Sequence, residues 1–156
     1  MIQKVASVIT TVSVFLAMLS LRASQQQRRR QFETLYVQRY WALMDKLSLD
    51  ALRGMPMQDV GEDDERVMRA YVRLCEDQLE LREKGWIGDS TWQIWAEGMR
   101  AQLQRWPFAA VWKEMQQVPD EFRLLRLLLE RDAGWDPCTL SWARRRLAGV
   151  TGPRTV

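Results

Sequence analysis

Between residues 5 and 53 the chain carries no glycine and no proline, and the first seventeen of those positions carry no charge. Without either breaker the segment has one cheap option, continuous helix. The apolar run "VASVITTVSVFLAMLSL", residues 5–21, would span roughly 25 Å as a helix, against about 30 Å for a hydrocarbon core. Lys4 and Arg22 can reach outward to the interfaces, and the hydroxyls of Ser7, Thr10, Thr11 and Ser13 can bond back to the preceding turn. The run therefore predicts a single transmembrane helix, an anchor over residues 1–24. A cleaved leader fits less well, because Arg22 abuts the only small-residue cleavage site and "RRR" follows soon after.

Residues 22–31 contain Arg22, Arg28, Arg29 and Arg30 and no acid. Arginines just beyond a span hold that side in the cytoplasm, so the expected location is the inner membrane, single-pass, with the carboxy-terminal domain cytoplasmic. The same four arginines are the expected membrane-surface contact, facing anionic headgroups of the lipid bilayer. The net charge of +3 comes from this stretch: residues 32–156 hold 18 basic and 20 acidic side chains. So no broad cationic surface is expected, and nucleic acid is excluded as a partner.

Beyond the anchor the pattern becomes amphipathic. Phe32, Tyr36, Tyr40, Leu43 and Leu47 recur at spacings of four and three, so residues 25–52 read as a basic juxtamembrane segment and amphipathic helix. Residues 53–64, "RGMPMQDVGEDD", form a connection. Residues 65–148 read as a bundle. Its first helix, capped by Asp63 or Asp64, has one face of Val67, Tyr71, Leu74, Cys75 and Gln78 and stops at Gly85. Ser90-x-x-Gln93 predicts a capping box for the next, with a stripe of Trp92, Trp95, Met99, Leu103 and Trp106. Pro107 starts another, "FRLLRLLLERD" a fourth, and Asp136-Pro137 a last one through Leu140, Trp142, Ala143 and Leu147. Residues 149–156 read as a flexible tail. No segment alternates with a two-residue period. The expected fold is all-α, a transmembrane helix followed by a small cytoplasmic bundle of about five helices.

The tryptophan stripe has the spacing of a buried helix face, and each ring can bury roughly 150–250 Å², which makes it core and not a ligand cage. Trp86 and Trp135, at helix junctions, join Phe32, Tyr36 and Tyr40 as the candidate surface for a protein partner or self-association. In "LCEDQLELREKG" Glu76 and Glu80 lie one turn apart, a spacing that can hold a metal or share a proton. Arg73, Arg82 and Lys84 lie near enough to neutralise them as surface pairs. The chain has no histidine. It also lacks a Gly-rich phosphate loop, a nucleophile elbow and an HExxH motif, so no catalytic residue, metal site or cofactor is expected. Cys75 and Cys138 have no metal-type spacing and fit a reducing compartment.

Residues 71–112, "YVRLCEDQLELREKGWIGDSTWQIWAEGMRAQLQRWPFAAVW", carry a resemblance through Leu74-Cys75-Glu76, Leu81, Gly85, Ile87, Trp92, Trp95, Gly98-Met99, Pro107 and Trp112. The stretch resembles uncharacterised bacterial and phage-associated proteins with one amino-terminal span and a Trp-rich helical domain. Asp77-Gln78 departs from that pattern. The resemblance implies a fold and a topology and no activity. The expected function is that of a membrane-anchored interaction or adaptor protein. A prophage- or defence-associated membrane protein, or an enzyme using the Glu76/Glu80 face, is the alternative.

Overall fold

The computed structural model describes residues 2–55 and 60–138, apart from the side chains of residues 2–18, Arg22 and Gln25. Among the described residues every regular element is a helix: α1 (Ile2–Met44), α2 (Leu49–Arg53), α3 (Glu62–Glu83), α4 (Asp89–Leu103), α5 (Phe108–Met115) and α6 (Arg123–Glu130). The all-helical bundle expected from the periodicity is what forms.

α3 is the centre of the bundle, packed by α1, α5 and α6, while α4 closes on α5 and α6. Its expected face, from Val67 through Tyr71, Leu74 and Cys75 to Gln78, is buried, and so are Met68, Val72 and Leu79 on the adjoining side. A helix covered on more than one face needs more than one apolar stripe. Trp92, Met99 and Leu103 of α4 supply the facing layer, with Phe108, Val111 and Trp112 of α5 and Leu124, Leu125 and Leu128 of α6.

The second half of α1 runs antiparallel along α3, as a ladder of contacts shows. Arg29 donates to the Gly85 carbonyl at 3.1 Å. The rings of Phe32 and Trp86 lie 5.3 Å apart, and those of Tyr40 and Tyr71 6.0 Å. At the other end Asp64 accepts from the Ser48 backbone N–H at 2.8 Å and from its hydroxyl at 2.6 Å. Ser48 in turn caps α2.

The transmembrane anchor over residues 1–24 is corrected by the structure. No helix among the described residues is long and apolar enough to cross a membrane. α1 does not stop where the apolar run stops. It continues through "SQQQRRRQ" to Met44 as one helix of about 65 Å. The uncharged stretch is shorter than a hydrocarbon core and diluted by hydroxyls, and the rest of the helix is polar and serves the bundle.

Several boundaries also shift. α3 begins after Gly61, and Asp64 lies in its first turn, turned toward Ser48. Ser90 is not a cap: α4 starts at Asp89 behind Gly88, whose N–H is held by Glu33 of α1 at 3.0 Å. Pro107 precedes α5 as its N-cap residue. Asp136 does accept from the Cys138 N–H at 3.0 Å, as a cap would. The helix expected through Leu140, Trp142, Ala143 and Leu147 and the tail 149–156 lie outside the described residues.

Candidate functional site

The Glu76/Glu80 face resolves into two unrelated jobs. Glu76 is half-buried and caps another helix: its two carboxylate oxygens accept from the N–H groups of Leu124 and Leu125 at 3.0 and 2.8 Å. Those are orphan donors in the first turn of α6, where a carboxylate also meets the positive end of the helix dipole. Burial pushes the Glu76 pKa above its ordinary value, and the two backbone hydrogen bonds offset only part of that rise. Glu80 is exposed and pairs with Lys84 at 3.5 Å. Among the described residues no group of three or more potential ligands is placed to hold a metal.

Arg82, expected as a surface neutraliser of that run, is instead 1% exposed. Its guanidinium donates to the Ile87 carbonyl at 2.8 Å, to Asp89 at 2.8 Å and to both oxygens of Asp136. It also lies over the Trp92 ring, 5.8 Å from the centroid. Burial pulls its pKa down, and the hydrogen bonds and charges of Asp136 and then Asp89 more than restore it, leaving it raised. This is a satisfied buried charge that joins α3, the α3–α4 turn and the segment after α6.

The aromatic residues expected as a partner surface are drawn mostly into the bundle. Tyr36 is buried against Trp95 at 6.2 Å between rings. Tyr40 and Trp135 are partly buried on the core. Phe32 is partly covered by Trp86, which remains half-exposed. Of the four arginines, Arg29 closes the end of α3, Arg28 and Arg30 are exposed, and the Arg22 side chain lies outside the described residues. So the apolar stripe from Phe32 in α1 to Leu47 just after it is spent largely within one chain.

What sequence reasoning missed is a groove of about 570 Å³ where α1 lies along α3. Arg39 of α1, Lys46 of the turn that follows it, and Arg66, Arg69 and Arg73 of α3 line it, with Asp77 as its lone acidic lining residue. Ala42, Leu43, Ala70 and Leu74 supply the apolar lining. The spacing explains the construction. Positions 39, 42 and 43 form one face of α1, which position 46 extends in the following turn, and 66, 69, 70, 73, 74 and 77 form one face of α3.

The five cations are not equivalent. Arg66 is held by Glu62 and Asp63, and Arg69 by Glu65 and Glu114, all outside the groove lining. Arg39 stacks on the Tyr36 ring at 5.3 Å and tempers the Asp77 pKa, which burial and then Glu80 push upward. Lys46 and Arg73 make no ion pair with any described carboxylate. Three cations in α3 at spacings of three and four, facing Arg39 in α1 and Lys46 just after it, were the signal available in the sequence. It is hidden there because acidic residues alternate with them along the chain. Compared with protein families, curated proteins and solved structures, the chain matches none.

Proposed function

We propose that the chain is an interaction module, a helical adaptor that holds an anionic partner in the α1–α3 groove. The observation that carries this reading is the pair Lys46 and Arg73: two cations beside an apolar lining, with no carboxylate of their own among the described residues. Positive potential beside low-dielectric walls attracts and orients an acidic ligand. The expectation of an interaction protein is kept, without the membrane span that was to carry it. Half-buried Glu76 and buried Arg82 serve as a cap and a tie within the fold, which favours an adaptor over a catalytic use of that face.

Photo-crosslinking in cells tests the reading. A benzophenone side chain at Ala42, in the groove, is expected to give a discrete adduct that disappears when K46E and R73E are added. The same probe at Ile94, 70% exposed on α4, is expected to give none. Adducts that are the same from both positions, or that survive the charge reversal, would contradict the proposal.

A further inference from the structure

Resting on the groove's role as a docking site, we propose that its occupant is an acidic amphipathic helix of a partner protein, laid along the seam between α1 and α3. Three features select this chemistry. First, Ala42 and Ala70 stand on the two walls beside Leu43 and Leu74. Small residues beside leucines admit the apolar ridge of a third helix at ordinary helix-packing distance. Second, the cations are spaced for carboxylates one or two helical turns apart. Lys46 and Arg39 are seven residues apart on one wall, and Arg66, Arg69 and Arg73 lie three and four apart on the other.

Third, the rim acids discriminate. Glu62, Asp63, Glu65 and Glu114 hold Arg66 and Arg69 from outside the groove, and at the Arg39 end Asp77 in the lining is followed by Glu80 outside it. An anionic bilayer or a nucleic-acid backbone approaching this face would meet those carboxylates along with the cations, and would find no use for the apolar lining. A single helix fits inside the rim. It puts its apolar stripe on the leucines and alanines, and its carboxylates on Lys46, Arg73 and Arg39. The chain's own carboxy-terminal segment is the wrong occupant, because residues 139–156 carry four arginines and no acid.

The test uses the full chain and a fluorescent helical peptide of about 18 residues, roughly five turns, with a leucine/alanine stripe flanked by glutamates. A second peptide has the same composition with the stripe scrambled. Phosphatidylglycerol vesicles and single-stranded DNA are the other probes. The expected result is saturable binding of the amphipathic peptide, with the scrambled peptide, the vesicles and the DNA weaker. K46E/R73E is expected to weaken it roughly tenfold or more, as two ion pairs become repulsions. Both substitutions fall on exposed positions, and an unchanged melting curve verifies the fold. Equal binding of both peptides, still sensitive to K46E/R73E, would overturn the helix and leave the anionic docking site standing. So would tighter binding of vesicles or DNA with the same sensitivity. No charge-sensitive binding of any probe would overturn both.

Discussion

Arg82 of α3 and Asp136, 54 residues later in the chain, form a two-point ion pair inside the bundle, with Arg82 Nε donating to Asp136 Oδ1 at 2.9 Å. The pair ties the segment after α6 to the central helix and shares the guanidinium with Asp89 and the Ile87 carbonyl. Breaking a buried pair from one side costs up to about 3–5 kcal/mol when the other charge is left alone, an upper bound here because Asp89 still holds Arg82. That is a large share of the roughly 5–15 kcal/mol that stabilises a domain. D136A is therefore expected to lower stability by up to that amount in urea unfolding, and D136N, which keeps one acceptor, by less. A D136A variant within about 0.5 kcal/mol of the parent would contradict the role given to the pair.

Glu76 couples the α3–α6 contact to pH. Its folded pKa is raised, first by burial, so the folded state holds that proton more tightly than the unfolded chain does. The contribution to stability is full below the unfolded pKa and is lost as pH rises through the folded one. Wild type is therefore expected to lose stability relative to E76Q as pH rises from the ordinary glutamate range to just above it, with a constant difference beyond. E76A removes the cap from two N–H groups and should cost about 1–2 kcal/mol at neutral pH. Urea unfolding at stepped pH measures both, and a difference that moves the other way with pH would contradict the linkage.

Cys75 of α3 is fully buried and shares a side-chain hydrogen bond with Tyr71, one turn earlier. Burial pushes its thiol up to about 12, and the Tyr71 hydrogen bond, which acts in the opposite sense, does not offset it. Only the thiolate attacks alkylating and disulfide reagents. In a C138S background Cys75 is expected to stay unmodified by a disulfide reagent at neutral pH until the protein is unfolded. Stoichiometric reaction of the native protein within minutes would mean that the α3 core opens readily.

The helices were legible because burial imposes a period on apolar residues. The stripes Val67–Gln78 and Trp92–Leu103 state their faces without help. Cap residues were less so. Ser90 satisfies every local rule for a cap, yet Glu33, 55 positions from Gly88, binds that turn and the helix starts one residue earlier. Glu76 and Arg82 read as a surface pair because both lie in a charged run, and their true partners come from residues 124, 125 and 136. The groove escaped for the same reason: its two walls are twenty or more residues apart, and each holds only two or three of its cations. The anchor was misjudged because the apolar run was weighed alone. It is the start of a longer helix whose later turns are polar and docked.

Every feature of the groove depends on the second half of α1 being a fixed wall against α3. Arg29 and Glu33 latch it to the turn between α3 and α4, and Asp64 holds the segment after it. Amide hydrogen exchange, read residue by residue over Tyr36–Met44, measures this directly. Protection in that stretch is expected to approach that of Val72–Leu79 in α3 and to be reduced by R29A/E33A together. Exchange at the rate of a frayed, unsupported helix, unaffected by R29A/E33A, would contradict it.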